Sequence, residues 1–289
     1  MRTSTEIDSI AKIVGEERAV EMVARAGFDC WDFSMFEMAK RDKVNGGILA
    51  TDHPLTRPDR LAFARRLRQI GLDCGITCNQ SHAPFPVSVK EIRDLQKAAI
   101  ECTAEAGGSI CVIHPDNNKS PEENAEMFLE LLPFAHGCGV KIATENMWNW
   151  NKEKDEAAPA ACSTPKSFLD HLNAVGDPYL VACLDIGHAE MRGHNTNAVE
   201  MIRALGHDHL KALHIHDNDL WHDTHWLPFT MKIDFEPIVA ALREIDYTGE
   251  FTLEAAYYIS KTCPADEVFG HVREMADATR RLADMFEGR

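Results

Sequence analysis

The chain has 289 residues, of which 45% are hydrophobic and 26% are charged, and this length suits either two domains or one α/β barrel. Its 46 acidic and 30 basic residues give a formal net charge of −16, and because no Lys/Arg-rich stripe offsets it, we exclude nucleic acid as a partner. The sequence has neither the apolar run of roughly 18 residues that a transmembrane helix needs nor a signal peptide. Its nine scattered cysteines indicate reduced thiols. We therefore expect a cytoplasmic protein without membrane contact.

Short apolar runs alternate along the chain with longer amphipathic segments. In chain order, the runs that predict β-strands are residues 28–33, 72–77, 109–113, 140–144, 180–184, 210–215 and 250–253. Residues 7–14 are a candidate for a degenerate first strand, which would bring the number to eight. Helical periodicity marks segments between the runs, among them 16–27, 57–71, 88–108, 123–139 and 235–249, and several of these end in glycine, as a helix C-cap should. This alternation predicts a parallel sheet with helices on both faces.

Ionisable residues follow nearly every predicted strand at its C-terminal end. They are His82, His114, Glu145, Asp185, His214 and Glu254. In a closed barrel these ends converge on one face, where active sites are built, whereas an open sheet would spread them along an edge. The G-x-G-x-x-G motif of a dinucleotide-binding open sheet does not follow the first convincing strand. We therefore predict the α/β class and a (β/α)8 TIM barrel that forms a single domain over residues 1–289.

Four of these strand ends predict a metal site. The four residues are Glu145, Asp185, His214 and Glu254. A glutamate at a buried strand end is costly unless it is paired or bound to a metal. Ligation by several carboxylates and one imidazole suits Zn²⁺, Mn²⁺, Co²⁺ or Mg²⁺ without choosing among them, and no organic cofactor is indicated.

Each of these residues also has a simpler interpretation. Asp185, in the CLDIGH segment, could cap the next helix and leave His188 on the surface. His214 and His216 point to the same side of one strand, and one of the two could be structural. The two glutamates could each pair with an Arg or Lys at the barrel rim. The occurrence of three acids and one histidine at four different strand ends favours a metal site over these separate interpretations.

The motifs resemble those of the sugar phosphate isomerase/epimerase superfamily, the xylose isomerase-like barrels that include endonuclease IV. The matching segments are ENM at 145–147, CLDIGH at 183–188, HIHDND at 214–219, DTHWLPF at 223–229, IDF at 233–235 and FTLE at 251–254. The resemblance implies that Glu145, Asp185, His214 and Glu254 bind one metal ion, as in the ketose 3-epimerases. It also implies that Glu145 and Glu254 act as acid and base on either face of the inverted carbon, and that His188 contacts substrate oxygens. Homo-oligomers are common in this superfamily.

Comparison with endonuclease IV extends the site to further residues. That enzyme uses nine ligands around three zinc ions, and this sequence offers a residue of the right type at each. The residues added to the first four are His82, His114, His188, Asp223 and His225, and His216 lies beside them. These side chains are predicted either to bind additional metal or to bind substrate, since the histidines could equally donate hydrogen bonds to sugar hydroxyls.

Two departures from the epimerase pattern concern the substrate, one in the loop before IDF and the other an indole-rich loop at residues 147–150 with an insertion through about residue 164. The glycine-rich phosphate-binding loop that usually precedes IDF reads here as PFTMK, without glycine, so a phosphorylated substrate is in doubt. Lys232 could replace the missing donors and contact substrate. The aromatic side chains of Trp148, Trp150 and Trp226 are candidates for the walls of a sugar pocket, because aromatic faces stack on sugar C–H surfaces.

The function expected from these residues is a metal-dependent isomerase or epimerase in carbohydrate metabolism, which acts on a sugar, a sugar phosphate or an inosose-like ketone through a metal-stabilised enediolate. A lyase or dehydratase acting on a keto-sugar or cyclitol is the nearest alternative, because only the fate of the enediolate differs. A metal-dependent phosphoester hydrolase of the endonuclease IV type is a third possibility, although the charge of −16 opposes binding to a DNA duplex.

Overall fold

The structure is a computed structural model that describes residues 1–42 and 44–289, and its centre is a barrel of eight parallel strands. The barrel strands are β1 (Thr3–Thr5), β2 (Cys30–Ser34), β3 (Thr77–His82), β4 (Ile110–Val112), β5 (Lys141–Glu145), β6 (Leu180–Asp185), β7 (Leu210–His214) and β8 (Phe251–Leu253). Strands β2 to β7 form one continuous sheet in chain order, and β1 pairs with β8. Backbone bridges between Glu6 and Asp32 and between Ile215 and Leu253 join that pair to the two edges of the sheet, which closes the barrel.

Helices surround the barrel. They are α1 (Asp8–Val14), α2 (Glu16–Ala26), α3 (Arg60–Asp73), α4 (Ile92–Ala106), α5 (Pro121–Cys138), α6 (Pro165–Val175), α7 (Ile186–Glu190), α8 (Ala198–His209), α9 (Phe235–Glu244) and α10 (Val268–Glu287). Their ends follow the sequence signals: Ser120 and Glu123 form a capping box at the start of α5, and glycines in the left-handed conformation end several helices. Among the described residues, no helix is both long enough and apolar enough to cross a membrane.

Two small antiparallel hairpins extend loops on the face where the barrel strands end. One pairs Lys40–Arg41 with Ile48–Leu49 in the loop after β2. The other pairs Asn149–Asn151 with Glu156–Ala158 in the loop after β5. Both hairpins therefore lie on the side of the barrel that carries the predicted site.

The predicted position of the first strand is wrong. Residues 8–14 form helix α1, and the first strand is Thr3–Thr5, a short polar segment that the apolar pattern does not mark. The predicted strand at 72–77 is also misplaced, because Leu72 is still in α3 and β3 begins at Thr77. Both errors have one cause, which is that these strands face a polar part of the barrel interior.

The interior of the barrel has an apolar half and a polar half. The strands β4 to β7 direct small apolar side chains inward, and these are Val112, Ala143, Val181, Cys183 and Ala212. On the other side, Ser4 donates to Asn79 Oδ1 at 2.6 Å, Asn79 donates to Thr252 Oγ1 at 3.0 Å, and these hydrogen bonds satisfy the buried polar groups. A strand whose inward side chains are hydrogen-bonded polar groups has no hydrophobic signal of its own.

Glu6, directly after β1, gives a pH-dependent term in stability. It is 1% exposed, and burial, followed by the nearby charge of Asp8, raises the pKa of its carboxyl from 4.5 to about 7. A folded-state pKa above the unfolded one means that Glu6 contributes stability below about pH 4.5 that is lost as the pH rises through about 7.

We therefore expect Glu6→Gln to flatten the pH dependence of unfolding. Relative to the wild type, the variant should gain about 3 kcal/mol in unfolding free energy between pH 5 and pH 8, because each pKa unit corresponds to about 1.4 kcal/mol. Denaturant titrations of both proteins at the two pH values measure this difference. Equal slopes with pH would show that the Glu6 carboxyl does not titrate in this range.

Candidate metal centre at the barrel mouth

The four predicted metal ligands meet at the C-terminal face of the barrel. Glu145 ends β5, Asp185 ends β6, His214 ends β7 and Glu254 follows β8. Each offers one ligand atom, and these atoms all lie within 4.8 Å of one another. His214 Nδ1 lies 3.2 Å from Glu145 Oε1 and 3.5 Å from Glu254 Oε2. We call these four residues, none of which is more than 5% exposed, the Glu145 cluster.

His82 and His114 approach the Glu145 cluster from β3 and the loop after β4. Their Nε2 atoms lie 3.4 and 3.3 Å from Glu145 Oε2 and 2.9 Å from each other. His82 Nδ1 faces the carbonyl oxygen of Ala83 at 3.0 Å, and donation there would leave the Nε2 lone pair directed at the site. Both oxygens of Glu145 are thus faced by imidazoles from different strands.

A second group of donors lies beside the first. We call His188, His216, Asp223 and His225 the Asp223 cluster, because all three imidazoles face that carboxylate. Asp223 Oδ1 lies 3.1 Å from His225 Nε2 and 3.5 Å from His216 Nε2, and Oδ2 lies 3.3 Å from His188 Nε2. His216 Nε2 also lies 3.1 Å from Asp185 Oδ1, which connects the two clusters. His216 is therefore part of the site rather than a structural histidine elsewhere.

The side chains of the two clusters do not satisfy one another by hydrogen bonds, and their polar atoms suit metal ligation. Several of their buried polar atoms have no hydrogen-bond partner, and in the described part of the chain these atoms are Glu145 Oε2, Asp185 Oδ2, His214 Nε2, His216 Nε2 and Asp223 Oδ1. No Lys or Arg among residues 1–42 and 44–289 lies within 4.0 Å of a carboxylate of either cluster. Buried carboxylates that no Lys or Arg neutralises are costly, and a divalent ion is a partner that suits them and the imidazoles around them.

The cap predicted for Asp185 is present as well. Its Oδ1 accepts the backbone N–H of His188 at 2.7 Å and so starts helix α7, while Oδ2 is left without a partner. The capping interpretation and the ligand interpretation therefore hold together. Each uses a different oxygen of the same carboxylate.

The two glutamates of the Glu145 cluster differ in electrostatic setting. Burial raises the pKa of Glu254 from 4.5 to about 8. Burial also raises the pKa of Glu145, but the facing imidazoles of His214, His114 and His82 outweigh it and hold that pKa well below 4.5. The pKa of His188 is raised to about 10, since the carboxylates of Asp185 and Asp223 outweigh the opposing effect of burial.

The three residues predicted to bind substrate lie at different distances from the clusters. Trp148 donates its indole N–H to Asp223 Oδ2 at 3.3 Å, so it borders the Asp223 cluster directly. Trp226 is 38% exposed, and its ring packs edge-on against Tyr258. The side chain of Lys232 is exposed, and its backbone N–H donates to Asp217. Trp150, the other predicted pocket wall, stacks on His222 with ring centroids 5.6 Å apart.

The segment that replaces the glycine-rich loop is closed by a carboxylate of the protein itself. Asp217 is fully buried and accepts backbone N–H groups from five residues at 2.9 to 3.1 Å. Four of the donors are consecutive, and they are Thr230, Met231, Lys232 and Ile233. Convergent backbone N–H groups form an anion site, and here the anion is the Asp217 side chain.

Asp32, the middle residue of β2, is not among the site residues that the sequence predicts. It is 1% exposed and its Oδ2 lies 3.7 Å from His214 Nε2. The signal that marks it is an acid between the aromatic residues Trp31 and Phe33, inside a predicted strand. The predicted site residues follow their strands or end them, whereas Asp32 lies within one.

Comparison with known proteins supports the assigned fold. A family model described as a xylose isomerase-like TIM barrel matches residues 20–284. An uncharacterized protein of Methanocaldococcus jannaschii is 29% identical over 191 residues, which make up 60% of this chain and 62% of that protein, so the match spans less than two thirds of the relative. A D-tagatose 3-epimerase-like protein of known structure superposes with a TM-score of 0.72 at 21% identity and covers 99% of this chain and 97% of its own. A structure of the IolI protein with a zinc atom gives a TM-score of 0.72 at 17% identity and covers 99% of both chains.

Proposed function

We propose, from the premise that the chain belongs to the xylose isomerase-like TIM barrel family, that it is a divalent-metal-dependent isomerase or epimerase of a small carbohydrate ketone. The observation that carries the proposal is a pair of carboxylates, from different strands, that face the same nitrogen of one imidazole. Glu145 from β5 and Glu254 after β8 both face His214 Nδ1, at 3.2 and 3.5 Å. The zinc in the IolI structure and the epimerase name of the other structural neighbour agree with this proposal.

The proposed mechanism divides the work among the residues of the Glu145 cluster. A divalent ion held by these four residues would act as a Lewis acid toward the ketone and so lower the cost of removing the neighbouring proton. One glutamate accepts that proton at a carboxylate oxygen, and the other donates a proton to the opposite face or to the adjacent carbon. Asp185 and His214 hold the position of the two glutamates between them. His188, with its Nδ1 facing the carbonyl oxygen of Asn146 at 2.9 Å, would turn its Nε2 toward substrate oxygens or toward a second ion.

The substrate that fits is a neutral keto-sugar or a ketone of a cyclitol. The backbone groups that would bind a phosphate at residues 230–233 are used by Asp217. Binding a phosphate there would require the displacement of a buried carboxylate that accepts five hydrogen bonds, which is costly. Trp148 would supply an aromatic wall beside the Asp223 cluster. Contact of Trp226 and Lys232 with substrate stays a prediction.

The Asp223 cluster is proposed to bind a second divalent ion. Three imidazoles and one carboxylate make a four-donor set, and nitrogen-rich sets of this kind suit zinc. This cluster and the His82–His114 pair also favour a second candidate function, a metal-dependent phosphoester hydrolase, because multinuclear sites of this kind activate water against phosphate esters. Because Asp217 occupies the backbone N–H groups of residues 230–233 that could bind a phosphate, we favour the isomerase over the hydrolase.

One experiment separates the candidates. Protein purified without chelator is incubated in deuterated water with unphosphorylated ketohexoses, keto-cyclitols and sugar phosphates. Proton NMR follows exchange, and phosphorus NMR follows phosphate release. Exchange at the carbon next to the ketone of a neutral compound is expected, with at least one divalent ion per chain found by metal analysis. Phosphate release without exchange would favour the hydrolase. Full activity of metal-free protein would contradict both.

A further inference from the structure

Each histidine of the site directs one ring nitrogen toward the clusters, and the histidines differ in the group that the other ring nitrogen faces. In His82, His188, His216 and His225, Nδ1 lies 2.8 to 3.3 Å from a backbone carbonyl oxygen and Nε2 faces the cluster. In His214 the ring is reversed, with Nδ1 toward Glu145 and Glu254 and Nε2 toward the Asp32 carboxylate at 3.7 Å. The Nδ1 atoms of His225 and His188 also lie 3.6 and 3.7 Å from carboxylates, but these belong to Glu254 and Glu145 of the Glu145 cluster, whereas Asp32 belongs to neither cluster.

Asp32 is held in place from below. Gln80 donates its side-chain N–H to Asp32 Oδ2 at 2.9 Å, and Ser34 donates its hydroxyl to Oδ1 at 3.4 Å. Gln80 is held in turn, since its Oε1 accepts the Thr252 hydroxyl at 3.3 Å. No Lys or Arg in the described chain lies within 4.0 Å of Asp32, and its one ion-pair contact is His214. A buried carboxylate that no Lys or Arg neutralises is unfavourable. A divalent ion bound at the Glu145 cluster would compensate the charge of Asp32.

We propose that Asp32 is a positioning residue for the metal centre, a role that rests on the proposed function. When a divalent ion binds at the Glu145 cluster, Asp32 accepts the Nε2–H of His214, and this fixes the tautomer whose Nδ1 lone pair points at the ion. A carboxylate behind a ligating imidazole also makes the imidazole a stronger donor, and the loss of such a partner typically weakens metal binding about 10- to 100-fold.

The substitution Asp32→Asn tests the charge of this carboxylate. Gln80 donates to Oδ2, and the same oxygen lies 3.7 Å from His214 Nε2, so the carbonyl oxygen of the introduced amide is expected to take this position and to face both groups. A neutral amide oxygen accepts the Nε2–H of His214 more weakly than a carboxylate does, so the tautomer that ligates through Nδ1 is less strongly favoured. Asp32→Asn therefore keeps the shape of the side chain and removes the charge behind the ligating imidazole.

The test is zinc binding to the full chain, measured by competition with a chelating indicator, together with denaturant stability of the zinc-free protein. For Asp32→Asn, the affinity for one zinc equivalent should fall about 10- to 100-fold, whereas the zinc-free protein should be as stable as the wild type or more stable. Glu6→Gln, compared with the wild type at pH 8, above the pKa of about 7 of the Glu6 carboxyl, is the matched control, because there it neutralises another buried acid of the barrel that does not face His214. Its zinc affinity should equal that of the wild type.

Three results would count against Asp32. Unchanged zinc affinity in Asp32→Asn would overturn the inference while leaving the proposed function in place. An equal loss of affinity in Glu6→Gln would show that only the overall charge matters. A loss of stability in the zinc-free Asp32→Asn protein would assign the residue to folding instead. If the wild type binds no zinc, Mn²⁺ or Co²⁺, the proposed function itself fails, and this outcome is distinct from the other three.

Discussion

Glu254→Gln is expected to slow proton exchange between substrate and water about 10²- to 10⁴-fold, the range that general acid–base groups contribute. The amide keeps the size of the side chain and can still direct its carbonyl oxygen toward His214, but it can neither accept nor release a proton at neutral pH. The amide oxygen can still serve as a ligand and the other three residues of the Glu145 cluster are unchanged, so most of the metal affinity should remain. The rate should therefore fall far more than the occupancy of the metal site.

The corresponding Glu145→Gln variant should lose both properties. Both Glu145 oxygens are faced by imidazoles, from His214 on one side and from His82 and His114 on the other. The loss of its charge removes a ligand that these donors share, so metal content and exchange rate should fall together. Metal analysis and deuterium exchange, measured on the same preparation, distinguish this pattern from that of Glu254→Gln.

A control on the same strand tests whether the site is specific. Glu250→Gln makes the same chemical change directly before β8, at the opposite end of the barrel, where Glu250 pairs with Arg2 at 3.3 Å. It should leave the exchange rate at the wild-type value. If Glu254→Gln exchanged protons as fast as the wild type, the second proton carrier would have to be another residue, and the role proposed for Glu254 would be wrong.

The sequence predicts strands β5 to β8 and the functional residues at their ends. The segments around these strands are mainly apolar runs, and each ends in or is followed by an acid or histidine that the structure brings into the Glu145 cluster. Parallel strands in a barrel all end on one face, so local patterns were enough to place these residues together. The same reasoning predicts His82 and His114 at this face, and the structure has both near Glu145, although the strand before His82 begins later than predicted.

The remaining features depend on contacts between distant segments. The polar strand β1 is stabilised by hydrogen bonds such as that from Ser4 to Asn79, 75 residues away, and no local pattern marks it. The link from His216 to Asp185 and Asp223 depends on which way the ring turns once the neighbouring strand and loop are in place. The closed anion site requires Asp217 to meet a loop 13 to 16 residues later in the chain. Side-chain partners of this kind follow from the fold and not from spacing alone.

Gly187→Ala is expected to remove one metal equivalent from the protein. A Cβ at position 187 would lie 2.0 Å from Cε1 and 2.2 Å from Nε2 of His216, so the imidazole would have to move. The ring is fully buried, and on its other side it stacks on His225 with ring centroids 4.0 Å apart. It cannot move without leaving the Asp223 cluster or displacing a second ligand. Overpacking of this kind also costs about 1–3 kcal/mol of stability.

The Glu145 cluster should retain its ion in this variant, because the three atoms nearest to the added methyl group all belong to His216, which is not one of its four residues. We therefore expect metal analysis to fall from two equivalents to one, and zinc to stabilise the variant less than the wild type. The lost stabilisation would be about 4 kcal/mol if free zinc stands at a thousand times the dissociation constant of the lost site. Thermal or denaturant unfolding with and without zinc measures this term.

Two further variants make the interpretation of Gly187→Ala specific. Gly137→Ala is the control for adding a methyl group to a helix, because a Cβ there meets nothing within 4 Å, and it should be neutral or slightly stabilising.

In the double variant Gly187→Ala with His216→Ala, the smaller side chain makes room for the methyl group. If steric contact with the imidazole is the cause, the double variant should be no less stable than His216→Ala alone, a coupling that a double-mutant cycle quantifies. Two metal equivalents in Gly187→Ala, or strictly additive effects in the cycle, would show that the Asp223 cluster does not depend on the seating of His216 against Gly187.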